Sequence, residues 1–206
     1  MVKEKISIRK IKATETKSKI YKCADELFRE YGFEKVSVDA IVEKAEISKG
    51  AFYVHFDSKD SLIISLIMEY VCKLDLDYRS FYESSSDDIA ASNILLSLIE
   101  EVAEIIANKI GYNLIKNVYR IQIDRPVDTN ILWENNRDIY KTISDLVTRG
   151  IQQGEFKSEL TADAIAYHFV MAMRGLTYEW CIRYPDFDLK EQLLKHFEIL
   201  LEGIKK

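Results

Sequence analysis

Glycine and proline are what this chain most lacks: 7 Gly and 2 Pro in 206 residues, well under half their usual combined share of about 12%. A β-sandwich or barrel turns often, and tight turns draw on these two residues. Their scarcity argues against an all-β fold and predicts long helices. Disorder is argued against as well, since 48% of the residues are hydrophobic and 11% aromatic, too many for a chain that stays solvated. The length allows one large domain or two small ones with a real core.

Apolar periodicity turns this into an all-α reading of about nine helices. Residues 1–13 lack a clean period and read as a flexible basic arm. From Thr16, the positions Ile20, Ala24, Leu27, Phe28 and Tyr31 recur at steps of three and four, one face of a helix that Gly32 stops. Ser37 is placed to cap a second short helix with Val38, Ile41, Val42 and Ala45 inward, and Ser48 a third that runs through His55. Ser58 caps a fourth helix from Lys59 toward Phe81, and the serine and aspartate cluster at 84–88 reads as a loop and a cap. Further helices are expected at Ile89 to Ile110, at 112–124, at Thr129 to Arg149 (ended by Gly150 and Gly154), at Thr161 to Tyr184 and at Leu189 to Gly203. The domain division expected is 1–13 arm, 14–60 helix-turn-helix, and 61–206 for the rest.

Several chemistries drop out. Cys23, Cys72 and Cys181 are too few and too scattered for a disulfide framework or a zinc site. The glycines never fall at phosphate-loop spacing, and no HExxH motif occurs. None of His55, His168 and His196 follows a glutamate at the ExxH spacing of di-iron bundles. No catalytic residue, metal ligand or cofactor is expected, and the chain is read as not an enzyme. The charged N-terminus precedes no apolar run of the signal-peptide kind, and the stretch Leu62 to Cys72 is too short to span a bilayer, so a cytoplasmic location is expected.

The net charge of −5 hides an uneven distribution. Residues 1–22 carry Lys3, Lys5, Arg9, Lys10, Lys12, Lys17, Lys19 and Lys22 against Glu4 and Glu15. Phosphate backbones respond to local charge, because attraction is screened within about 10 Å at 0.1 M salt. A basic end on an acidic body is therefore compatible with DNA binding, and equally with a solvated basic tail.

Helix, tight turn and short helix packed into about 20 residues form a helix-turn-helix pattern. Phe28, Phe33, Ile41, Ile47, Phe52 and Phe56 are placed to bury together, leaving Ser48, Lys49, Ala51, Tyr53, Val54 and His55 on or near the open side of the third helix. Side chains near the N-terminus of such a helix read bases in the major groove. Lys49 suits guanine O6 and N7, Ala51 a thymine methyl, and Gly50 permits close backbone approach. Ser37, Tyr53, His55 and Lys59 suit phosphates.

Gly32-Phe33, Ser37, Ile41, Ala45, Ile47-Ser48, Lys49-Gly50, Tyr53, Phe56, Lys59 and Leu62 together resemble the N-terminal pattern of the TetR family of transcriptional repressors. The resemblance covers about 50 residues. Two positions depart from it: Val42 stands where alanine is usual, and Glu46 where the turn glycine is usual. The second implies strain of about 1 kcal/mol if that turn needs a positive φ.

What the resemblance implies is a ligand-responsive repressor, a homodimer on a palindromic operator, released by a small hydrophobic or amphipathic effector. It also implies that the last two helices form a four-helix bundle with their twofold mates. Ala172, Gly175, Leu176, Trp180, Leu193, Leu194, Phe197 and Leu201 are the expected interface residues. Tyr78, Tyr112, Tyr119, Trp133, Tyr140, His168 and Phe169 are the candidate pocket lining, although aromatics at such positions equally describe a packed core. A regulator of the same kind controlled by a protein partner is the alternative.

Overall fold

A computed structural model of the chain describes residues 2–84, 88–130 and 138–206, with side chains described outside 2–10, 71–79 and 81–84. Among these residues the regular elements are helical, and one isolated antiparallel bridge joins Phe156 to Lys205. The α-helices are α1 (Val2–Tyr31), α2 (Val38–Lys44), α3 (Lys49–Tyr53), α4 (Lys59–Ser84), α5 (Ala91–Glu104), α6 (Tyr112–Asp124), α7 (Asp138–Gln152), α8 (Ala162–Arg183) and α9 (Leu189–Ile204). A 3-10 turn at Phe33–Lys35 follows α1, and a π-helical turn at Ile105–Ile110 extends α5.

The chain divides into two compact units, Met1–Met68 with Asn117–Thr129, and Glu69–Lys116 with Asn130–Lys206. The sequence break at residue 60 thus falls short of the observed boundary, and it misses the return of 117–129 to the first unit. That return has a visible cause. Val118 and Ile121 of α6 are buried, and Arg120 bonds Asp60 at 2.9 Å and lies 3.5 Å from Glu34.

In the first unit most of the core is what the periodicity predicts, but Tyr31 is 52% exposed and Val38 only half-buried. Ile20, Ala24, Phe28, Ile41, Ala45 and Phe52 are fully buried, and Phe33 and Phe56 nearly so; Ile47 is only half-buried. Phe28 packs on Phe33 with ring centroids 5.1 Å apart, and Phe52 on Phe56 at 5.6 Å. Each such ring contributes on the order of 2–3 kcal/mol by leaving water. That matters most for α3, whose 5 residues are far too few to hold a helix alone.

Caps set the boundaries. Ser37 Oγ accepts from Ala40 N at 3.1 Å, and Ser48 Oγ from Ala51 N at 3.1 Å. Ser58 and Ser61 cap each other, each backbone N–H donating to the other's Oγ at 3.0 Å. The turn between α2 and α3 places Glu46 at φ 49, the left-handed region that the missing glycine would have tolerated without strain.

α1 corrects the expectation for the N-terminus. Instead of an arm followed by a helix from about Thr16, one helix starts at Val2. No buried face is needed for this. The stretch holds no Gly or Pro, and a helix already nucleated at Ile20 to Phe28 extends by propagation at little cost.

The second unit is built on α5, α7, α8 and α9. Leu95, Leu98, Ile99, Ile143, Val147, Phe169, Leu193 and Phe197 fill it, with Phe169 and Phe197 edge to face at 5.2 Å. Gly150 does not stop α7; the helix runs on to Gln152, and Gly154 turns the chain at φ 78. Gly150 is required for packing: a Cβ there would lie 2.2 Å from the ring of Phe156, itself fully buried. The segment after α7 also ties down the C-terminus. Lys157 N donates to Ile204 O at 2.8 Å and Lys206 N to Glu155 O at 3.0 Å. The expected helix start at Thr129 cannot be placed, because 131–137 lie outside the described residues. The cap expected from the serine cluster before α5 is replaced by Ala90, which makes no side-chain cap bond.

Candidate nucleic-acid interface

The open side of α3 is as the spacing anticipates. Phe52 plugs inward, which turns Lys49, Gly50, Tyr53 and Val54 outward; Tyr53 is 48% exposed and Val54 79%. Ala51 and His55 are half-buried, and Ser37 and Ser48 are exposed. Both serine oxygens are accepting as caps, so their hydroxyl protons remain available to an acceptor such as a phosphate oxygen. This surface offers one long cationic donor, two hydroxyls at helix starts and a phenol, on a helix narrow enough for a major groove.

Two lysines are placed differently from their sequence reading. Lys49 Nζ lies 2.7 Å from Asp39 Oδ1, a pair that links α2 to α3 on the outer surface and holds the ammonium above the usual lysine range. Asp39 is a neighbour the sequence did not reveal; ten positions separate the two, and only the turn brings them together. Lys59 is the larger departure. Its Nζ donates to Phe33 O at 2.7 Å and to Val36 O at 2.8 Å, and it sits 4.2 Å from the centroid of the Phe33 ring. Burial pulls its ammonium below the usual lysine range. Two of its three protons are thus spent on the chain itself, and Lys59 ties α4 to the segment between α1 and α2.

Other basic groups of this unit are paired at the surface. Lys19 meets Glu46 at 3.2 Å, Lys44 meets Glu26 at 3.0 Å, and Arg29 meets Asp25 at 2.9 Å.

The expected pocket residues lie in several different surroundings. Tyr78 and Trp133 lie outside the residues with described side chains. Tyr119 belongs to the first unit. His168 is exposed, its ring edge to face with Tyr167, and Phe169 packs in the α8–α9 core. Tyr112 stacks on Tyr184 at 4.0 Å with Trp180 across both rings. Tyr140 is the exception. It is 6% exposed, its hydroxyl has no hydrogen-bond partner, and the Arg174 guanidinium lies 5.6 Å from its ring centroid. A groove of about 1000 Å³ is lined by Glu104, Asn108, Arg183, Asp186 and Lys190 together with Trp180, Tyr184 and Phe187, and none of the expected pocket residues is among its lining.

Burial divides the expected dimer residues into two groups. Trp180, Leu193, Phe197 and Leu201 are within 4% of full burial inside the protomer, so they close its own core. Ala172, Leu176 and Leu194 are half-buried and Gly175 is exposed. The apolar groups left in water are instead Tyr167, Met171, Tyr178 and Ile182 of α8 and Ile199 of α9, between 42% and 70% exposed. Among the described residues no group of three or more His, Cys, Asp or Glu could hold a metal ion, and no helix is long and apolar enough to cross a membrane.

Comparison with known proteins agrees with this geometry. The HTH-type transcriptional repressor KstR2 of Rhodococcus jostii is 22% identical over 86% of this chain and 85% of its own. In fold, the chain is similar to Thermus thermophilus FadR, a TetR-family transcriptional repressor solved in complex with lauroyl-CoA. The TM-score is 0.72 at 20% identity, over 91% of this chain and 94% of that one. It is similar also to Bacillus subtilis FadR in complex with stearoyl-CoA, with TM-score 0.70 at 20% identity over 91% and 98% of the two chains. The model of bacterial regulatory proteins of the tetR family matches residues 20–66, the whole span from the first core residue of α1 into α4. Residues 20–66 thus carry the helix-turn-helix pattern of the bacterial regulatory proteins of the tetR family, on an all-helical fold similar to that of solved TetR-family regulators.

Proposed function

We propose that the protein is a ligand-responsive repressor that binds a palindromic operator as a homodimer and is released by an amphipathic small molecule. The observation that carries the reading is the pair of serine-capped short helices with Lys49, Gly50, Tyr53 and Val54 facing out from a buried Phe52. A helix this short reads few bases, and two copies on two half-sites multiply its discrimination. The exposed stripe Tyr167, Met171, Gly175, Tyr178 and Ile182 supports pairing through α8, with Ile199 of α9 beside it. Its members recur at three- and four-residue steps, and Gly175 lets a facing helix come close.

For the effector, the buried, unpartnered hydroxyl of Tyr140 beside Arg174 supports a ligand with an oxygen acceptor on an apolar body. The acyl-CoA complexes of the two FadR structures make a long-chain acyl thioester the first class to test.

The experiment is selection of duplexes from a random pool with the full-length protein, then anisotropy titration of the recovered sequence against a scrambled control. Sequence-selective binding by a dimer, reversed by lauroyl-CoA or stearoyl-CoA but not by free CoA, is the expected result. Tyr140→Phe should leave DNA binding intact and raise the acyl-CoA concentration for half-release about tenfold, the value of one buried hydrogen bond. Recovery of no sequence above background would overturn the DNA-binding reading.

A further inference from the structure

The helix-turn-helix surface has little free positive charge to offer a polyanion. Lys19, Lys44, Lys49 and Arg29 each face a carboxylate within 3.2 Å, and Lys59 is spent on two carbonyls. An ion pair presents almost no net charge at a distance, so these groups attract a phosphate backbone only weakly. The lysines of this unit that have no acidic partner among the described residues include Lys12, Lys17 and Lys22, all exposed and all on α1.

Two contacts fix where α1 leaves the packed unit. Lys17 Nζ lies 5.4 Å from the Tyr21 ring centroid and 5.9 Å from that of Phe56, which follows α3. Lys19 reaches Glu46 in the turn between α2 and α3. The helix therefore emerges beside the turn and the reading helix. N-terminal of Ile20 it buries nothing among the described side chains: Ile11 to Glu15 and Lys17 to Lys19 are exposed and Thr16 half-buried. Some 18 further residues at 1.5 Å each make a rod of about 27 Å. Its sequence from 1 to 22 holds eight basic residues against Glu4 and Glu15.

We propose that the basic N-terminal part of α1, from Val2 to Lys22, is a second DNA-contacting surface. It runs along phosphates outside the base pairs read by α3 and supplies most of the electrostatic affinity that the ion-paired helix-turn-helix lacks. The proposal rests on the DNA-binding reading above, and charge complementarity to duplex DNA is what selects its occupant.

The test compares the full-length protein with a variant carrying Lys3→Gln, Lys5→Gln, Arg9→Gln, Lys10→Gln and Lys12→Gln. Gln matches Lys and Arg closely in helix propensity, so the helix persists, which circular dichroism checks. Each is titrated against the selected duplex, trimmed to the recovered base pairs or flanked by ten random pairs on each side, across a salt series. The wild type should bind the flanked duplex at least tenfold more tightly, and its log K against log salt should be steeper. The Gln variant should be indifferent to the flanks, with a slope shallower by about 3 or more, at about 0.9 per lost phosphate contact. A matched set of Lys→Arg changes should behave as wild type. Equal slopes and equal flank dependence for wild type and Gln variant would overturn this proposal and leave the DNA-binding reading standing. A wild type that selects no DNA would bring down both.

Discussion

Lys59→Met separates two roles that the sequence leaves confounded. Methionine keeps the length and the apolar stem but removes the ammonium. Phe33 O and Val36 O then lose their donors at 2.7 and 2.8 Å, and Phe33 loses the cation 4.2 Å from its centroid. Hydrogen bonds from charged donors are worth about 1.5–3 kcal/mol each, and the low end applies here because the donor, Lys59, is only half-buried. With a cation–π term of about 0.5–1 kcal/mol, the loss is about 4 kcal/mol. For a chain of 206 residues, at about 2–4 °C per kcal/mol, that lowers Tm by about 8–16 °C. The assay is thermal unfolding by far-ultraviolet circular dichroism, paired with the salt slope of operator binding measured at a temperature where the variant is folded. Stability should fall and the slope stay unchanged. A Tm within 2 °C of wild type, together with a slope shallower by about 1 per protomer, would refute the reasoning and return Lys59 to the phosphate contacts.

Asp39→Asn frees Lys49 and removes a carboxylate from the DNA-facing edge. Stability should change by less than about 1 kcal/mol, as for exposed pairs, while affinity for duplex DNA rises and the salt slope steepens by about 1 per protomer; unchanged binding would show that Lys49 does not reach DNA. Glu46→Gly should stabilise the first unit by about 1 kcal/mol in urea unfolding by relieving the φ of 49, and a loss of stability would mean that the Lys19 pair outweighs the strain. Gly150→Ala places a Cβ 2.2 Å from the Phe156 ring; overpacking toward the top of the usual range of about 1–3 kcal/mol outweighs the gain of about 1 kcal/mol in helix propensity. A higher Tm would contradict that packing. Met171→Glu should convert a dimer to a folded monomer by light scattering, whereas Phe197→Ala should cost about 3–5 kcal/mol of protomer stability; a dimer surviving Met171→Glu would move the interface off α8.

The features legible in the sequence are those that depend on neighbours along the chain. A serine capping the N–H three residues on, a glycine after the last apolar turn and a 3.6-residue apolar period are local facts, and Ser37, Ser48, Thr161 and Gly32 stand where they were expected. So does the inward set Phe28, Phe33, Ile41, Phe52 and Phe56, because period and spacing alone select that face. The N-terminal helix was missed because burial periodicity detects packed helices, and the described residues from Ile11 to Lys19 bury no side chain.

What only the tertiary structure decided is direction and partner. α8 and α9 carry apolar residues on more than one face, so nothing along the chain says whether Leu193 and Phe197 or Met171 and Ile199 meet the protomer's own core. A lysine's ammonium reaches several ångströms in any direction, and the carbonyls that hold Lys59 are 26 and 23 residues away in sequence. The same holds for Asp39 beside Lys49 and for the orphaned hydroxyl of Tyr140. Helices and their ends follow from local energetics that composition and spacing record. Which charge is free and which apolar face is open follow from contacts between distant segments, and those exist only once the chain has folded.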